Sequence, residues 1–103
     1  MTITSKQRSQ LKAIAQTISP IGQIGKGGIN DNMIKSLDDA LTAREIIKLS
    51  VLNNSEEEAI FLARDLEEAL KCICVAVIGK KIILYRHSPK LAKQGKAIRL
   101  IKE

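Results

Sequence analysis

Residues 21–34 read Ile21-Gly22-Gln23-Ile24-Gly25-Lys26-Gly27-Gly28-Ile29-Asn30-Asp31-Asn32-Met33-Ile34. Ile21 to Ile24 is short, apolar and bounded by Gly22 and Gly25, the pattern of a brief strand. Gly25-Lys26-Gly27-Gly28 is a glycine turn with one cation at its tip. Asn30 is a good N-cap and Asp31 then falls in the first helical turn. Strand, glycine loop and helix start succeed one another without a break, the unit from which α/β folds are built. Glycine lets backbone N–H groups approach a ligand, and a helix N-terminus favours an anion. The stretch therefore reads as a place for a phosphate.

Upstream, Leu11, Ile14, Ala15 and Ile18 recur at helical spacing and predict a helix from Ser5 to Ile18. Pro20 ends it, because the residue before proline avoids the α region. Downstream, Ile34, Leu37 and Leu41 give the apolar stripe of a second helix running to about Thr42. Glu45 to Val51 is β-favouring, with Ile46, Ile47, Leu49 and Val51. Asn53-Asn54 marks a turn. Ser55-Glu56-Glu57-Glu58 predicts a capping box for a third helix reaching Leu70, with Ala59, Leu62, Ala63, Leu66 and Leu70 inward. Cys72 to Ile78 is a continuous apolar strand, and Gly79-Lys80-Lys81 turns it back into Ile82 to Arg86. The order αβαβαββ predicts an α/β sandwich of two-layer type, with three helices and a mixed four-stranded sheet.

From Ser88 the pattern weakens. Lys90, Lys93, Lys96, Arg99 and Lys102 recur every third residue, which drifts around a helix rather than marking one face. A flexible basic arm over residues 88–103 is the simplest expectation, with Ala97 to Ile101 as a possible short edge strand. The whole of 1–103 is expected to form a single domain.

The chain has 103 residues, 45% of them apolar, and a formal charge of +6. Residues 1–29 carry +4, residues 30–70 carry −6 and residues 71–103 carry +8. Basic ends around an acidic middle suit a protein that orients on a polyanion. Phe61 and Tyr85 are the sole aromatics, which argues against base-stacking platforms and for recognition of backbone and shape. No apolar run predicts a membrane span or a secretory signal, so a cytoplasmic location is expected.

Enzyme chemistry is thinly represented, and no catalytic residue, metal site, cofactor or small-molecule substrate is expected. His87 is the single histidine and reads as a surface residue. Cys72 and Cys74 share one strand face and read as small buried hydrophobes, too parallel for a disulfide with each other. The glycine loop is neither a Walker loop nor Gly-x-Gly-x-x-Gly, since Asn30 stands where the last glycine would. It does match the Gly-x-x-Gly that clamps a nucleotide backbone in KH domains. Gly22-Gln23-Ile24-Gly25 matches too, but inside the apolar segment.

Several separated strings resemble the CRM domain, in the form of the free-standing bacterial YhbY-like proteins. They are Gly25-Lys26-Gly27-Gly28-Ile29, Asn32-Met33-Ile34-Lys35, Ala43-Arg44-Glu45-Ile46-Ile47-Lys48, and Gly79 with Leu84-Tyr85-Arg86, in register across about residues 5 to 87. The family's usual Thr or Ser at the second helix cap is Asn30 here. The resemblance implies a fold similar to the C-terminal domain of translation initiation factor three. It also implies non-catalytic RNA binding, on rRNA of large ribosomal subunit precursors. On that reading Gly25, Gly27 and Gly28 press the backbone against phosphates and Lys26 supplies charge. Lys6, Arg8 and Lys12 widen the patch, and Lys35 faces the same RNA. Lys48 and Arg86 match family positions, where each would either contact RNA or serve within the sheet. Two rival readings stand beside this one. The acidic third helix could dock a basic ribosomal protein, or the chain could coat nucleic acid in the manner of an Alba protein.

Overall fold

The structure is a computed structural model and describes residues 2–102. Its elements are α1 (Ser5–Ala15), β1 (Gly22–Ile24), α2 (Asp31–Arg44), β2 (Ile46–Val51), α3 (Ala59–Leu70), β3 (Ile73–Ile78), β4 (Lys81–Tyr85) and α4 (Pro89–Lys93). The sheet runs β1-β2-β4-β3. β1 is parallel to β2, while β4 is antiparallel to both of its neighbours.

The expected order αβαβαββ is present, and a fourth helix stands where the sequence pattern predicts a loose arm. The layering also differs from expectation. Ile47, Leu49, Ile82 and Leu84 face α2 and α3 on one side of the sheet. Ile46, Ile83, Val75 and Tyr85 face Leu11 and Ala15 of α1 on the other. Alternation along β2 and β4 makes both faces apolar, so helices cover both and the sandwich has three layers. α1 has only 11 residues and covers part of its face. Beyond it the same face carries exposed Gln23 and Lys81 and half-buried Lys48.

Helix ends show where local chemistry decided. Thr4 and Gln7 form a reciprocal capping box that starts α1. The helix stops at Ala15, short of Ile18, because Thr17 and Ile18 donate to carbonyls only three residues back, those of Ile14 and Ala15. That tightening is the usual way a helix unwinds ahead of a proline. Asn30 caps α2 as expected, its Oδ1 accepting the Met33 N–H at 2.8 Å.

The capping box at Ser55 does not form. Ser55 Oγ donates to the Glu57 carbonyl at 2.8 Å and accepts the Glu57 N–H at 3.3 Å, closing a small turn on itself. Serine hydroxyls compete with helix geometry in this way. α3 therefore begins at Ala59, with Glu58 at its N-cap making no side-chain cap bond.

The basic arm is docked. Ser88 caps α4, with Pro89 in its first turn. Residues 98–101 then lie extended along α1. Gln10 Nε2 donates to the Arg99 carbonyl at 2.6 Å, and Gln10 Oε1 accepts the Ile101 N–H at 2.8 Å. Gln7 Nε2 donates to the Ile101 carbonyl at 2.9 Å. Ile98 and Leu100 turn inward to the α1-side core, as alternate residues of an extended chain do. The five basic residues of the arm stay exposed. Two glutamine side chains take the place that a neighbouring strand would have, so no edge strand forms.

Glu45 anchors this closure. It is the single residue joining α2 to β2, and its backbone takes φ 65, unusual for a residue with a side chain. The side chain is fully buried. Oε1 accepts the Ile98 N–H at 2.6 Å, and Oε2 accepts the Ser88 N–H at 2.7 Å. His87 Nδ1 lies 3.1 Å from Oε2.

Candidate nucleic-acid interface

The glycine loop leaves the C-terminal end of β1 and turns tightly, the Gly28 N–H donating to the Gly25 carbonyl at 3.0 Å. Its glycines serve different ends. A Cβ on Gly25 would stand 3.1 Å from Asn54 Oδ1 and 3.3 Å from a Leu52 methyl, so this position is held by packing. Gly28 has φ +67 and is held by its backbone. Gly27 has neither constraint, because a Cβ there would meet nothing within 4 Å. The fold does not require glycine at 27, and a ligand approaching the backbone would.

Lys26 is exposed at the tip. The helix start behind it is largely closed by the protein itself, since Asn30 takes the Met33 N–H and Asp31 occupies the first turn. A cleft of about 270 Å³ on the inner side of the loop is lined by Lys26, Glu56, Glu57 and Asp65 among others. Three carboxylates on that wall disfavour a phosphate there. The loop's outer side is the one left for a polyanion.

The remaining cations fall into distinct places. Lys48 lies on the sheet face shared with α1, on the part α1 leaves open. In the next row, Gln23, Ser50 and Lys81 are direct cross-strand partners, and Lys81 Nζ donates to Ser50 Oγ at 2.9 Å. Lys81 is not among the residues expected from sequence. Placing it beside Lys48 needs the long-range register of β2 with β4, which pairs Lys81 with Ser50. Lys6 and Lys12 are exposed on α1. Lys35 is exposed on α2, on the opposite layer from Lys48, so the two share no face of the sheet.

Arg8 and Arg86 are engaged in the fold. Arg8 Nη1 donates to the carbonyls of Cys74 at 2.9 Å and Val75 at 2.6 Å. These carbonyls sit at the register shift between Cys74 and Ala76, where a bulge leaves backbone groups without ladder partners. Arg8 thus stands over β3, three strand spacings or about 14 Å from β1 and the glycine loop. Arg86 Nη1 donates to Asp38 Oδ1 at 2.7 Å and to the Leu70 carbonyl at 2.9 Å. Its Nη2 donates to the Asp38 carbonyl at 3.0 Å and Thr42 Oγ1 at 3.1 Å. One guanidinium fork ties the end of β4 to α2 and α3.

The two cysteines lie on the α2–α3 side of the sheet. Burial, aided by nearby Glu67, pushes the Cys72 thiol up to about 12. The same causes raise Cys74, whose N–H donates to Glu67 Oε2 at 2.8 Å. Both are poor nucleophiles at neutral pH. Among the described residues no helix is long and apolar enough to cross a membrane.

A glycine loop free on its outer side, next to an open basic sheet face, agrees with the strings noted in the sequence. The family of CRS1/YhbY (CRM) domains matches residues 3–86, from just before α1 through the Arg86 fork. The chain belongs to the CRM domain family. This CRM domain is 45% identical over 98 residues to the Bacillus subtilis protein named Probable RNA-binding protein YqeI, covering 95% of this chain and 98% of that one. It is 28% identical over 87 residues to a Haemophilus influenzae protein named RNA-binding protein, covering 84% and 88%. The solution structure of the Staphylococcus aureus hypothetical protein SAV1595 matches with TM-score 0.77 and 45% identity, covering 97% of this chain and 100% of that one. The CRM match ends at Arg86, before α4 and the strap that Glu45 holds.

Proposed function

We propose that this CRM domain is a non-catalytic, cytoplasmic RNA-binding protein that associates with rRNA in precursors of the large ribosomal subunit. The observation that carries the RNA reading is Gly27, a glycine that neither packing nor backbone angle demands, beside exposed Lys26. Relatives named as RNA-binding proteins support the same class of ligand. Gly25, Lys26, Gly27 and Gly28 press on phosphates from the loop's outer side. Lys48 and Lys81 continue the contact across the open sheet face, and Lys6 and Lys12 extend it along α1. Lys35 reaches only RNA that passes around the β1 edge. Arg86 acts through the fold, both of its terminal nitrogens donating within it, while Arg8 commits Nη1 to β3 carbonyls and stands away from the glycine loop. With two aromatic residues in the chain, affinity rests on phosphate contacts and shape and falls steeply with salt.

The test is a sucrose-gradient profile of cell extract at low and moderate salt, comparing the parent chain with Lys26→Ala/Lys81→Ala. Co-migration of the parent with immature large-subunit particles, weakened in the variant and by salt, is the expected result. A parent protein that stays in the free fractions at both salts would sink the ribosomal assignment. Equal affinity of parent and variant for structured rRNA fragments at matched salt would sink the proposed contact surface.

A further inference from the structure

A second concavity, of about 430 Å³, opens between the start of α3 and the β3–β4 turn. Its floor and walls include Leu52, Ile60, Val77 and Gly79, and its rim is Glu56, Glu57 and Glu58. Leu52 and Ile60 are large apolar residues left 36% and 44% exposed. All three glutamates are exposed, and none forms an ion pair among the described residues. Lys80, the cation in the lining, donates to the Asn53 side chain rather than to a glutamate. The fold uses neither feature: Ser55 builds the preceding turn alone, and α3 starts without a side-chain cap. Carboxylates near a helix start do favour its dipole, but that leaves the uncovered apolar floor unexplained.

We infer that this groove docks a basic protein segment that inserts an apolar side chain between Leu52 and Ile60 while its cations meet Glu56, Glu57 and Glu58. The volume suits one large side chain and its flanking backbone. The rim repels phosphate, which excludes RNA as the occupant. The chain as a whole carries +6, so a basic segment is drawn to this acidic rim and repelled by much of the remaining surface. Glu56 and Glu57 also line the cleft behind Lys26. Cations docked on the rim therefore relieve negative potential beside the glycine loop, and the segment and RNA bind with positive coupling. The coupling depends on RNA being held at the loop, whereas docking does not, so each can fail without the other.

The probe is a short acetylated lysine-rich peptide carrying two leucines, titrated into the full ¹⁵N-labelled chain. Amide shifts at Leu52, Ile60, Val77 and Gly79 are expected. Glu56→Gln/Glu57→Gln/Glu58→Gln should weaken binding about tenfold, the sum of several modest exposed charge interactions. Ile60→Lys, a change at an exposed position, should weaken it comparably with the fold intact. Equal binding of a peptide with serines for the leucines would overturn the apolar anchor. Shifts mapped away from the groove, or self-association abolished by Ile60→Lys, would overturn the proposed occupant. An RNA oligomer shifting the same amides would do so as well. A rise in RNA affinity on adding the peptide, absent in the triple variant, would support the coupling.

Discussion

The buried carboxyl group of Glu45 takes the backbone N–H of Ile98 at 2.6 Å, a bond spanning 53 residues of sequence. It fixes where the extended strap crosses the base of the sheet. Glu45→Ala leaves the N–H groups of Ile98 and Ser88 without this acceptor, each worth about 1–3 kcal/mol when buried. We expect urea unfolding to show a loss of about 3 kcal/mol. Hydrogen exchange should show the Ile98 amide opening well before the strands do.

The three loop glycines should separate by experiment. Gly28→Ala puts a Cβ at φ +67 and should cost about 1 kcal/mol of stability. Gly27→Ala should leave the thermal midpoint where it is and weaken RNA binding. Melting curves beside fluorescence anisotropy with an rRNA fragment decide the matter. A Gly27→Ala protein with unchanged affinity would remove the close backbone approach from the mechanism.

Arg86 should behave as a structural residue. Its side chain is 18% exposed and Asp38 is 57% exposed. The ion pair itself therefore contributes little, and most of the value lies in the bonds to Leu70 and Thr42. Arg86→Lys cannot reproduce the fork and should cost about 2 kcal/mol, while Asp38→Asn costs less than about 1 kcal/mol. The slope of RNA affinity against salt should stay unchanged in both. In Lys26→Ala or Lys81→Ala that slope should fall by about one phosphate contact.

Alkaline pH should unfold the protein through its thiols. The Cys72 thiol is raised from 9.0 to about 12 by burial. An acid whose folded pKa is raised loses its proton first in the unfolded chain. Stability is therefore intact below pH 9 and falls as pH rises from 9 toward 12. Cys74 and Tyr85, also raised by burial, act in the same direction. Cys72→Ala should flatten the fall above pH 9 while lowering stability at neutral pH through the lost packing volume. Unfolding midpoints measured across that range would show both effects.

Periodicity makes the strands and the inward faces of the helices legible, because burial imposes a repeat that each segment carries by itself. Leu62, Ala63, Leu66 and Leu70 carry that repeat, and all are buried. The start of α3 is not legible, because Ser-Glu-Glu-Glu suits a capping box and a serine turn equally, and the tertiary setting of the loop selects the turn. The strap is hidden because its partners, Glu45, Gln7 and Gln10, lie far off in sequence and carry no local sign of the task. The glycine loop is legible as a motif. The different duties of Gly25, Gly27 and Gly28 are not, since they depend on Asn54, Leu52 and open space. Lys81 becomes visible only through the register that sets it opposite Ser50.

The two-sided sheet also sets an order of events during synthesis. α1 is made before every other described element; Ile46 of β2 reaches it early, but Ile73, Val75, Ile83, Tyr85, Ile98 and Leu100 of the same core are made only after α3. The α2–α3 layer draws on Ile24, Leu37, Leu41, Ile47 and Leu66, which emerge earlier, and is completed by Ile82 and Leu84 of β4. On the ribosome, α1 therefore stays only partly covered, with Ile46 of β2 beside it, until the hairpin and strap emerge. The first of the described helices is thus the last to be fully packed.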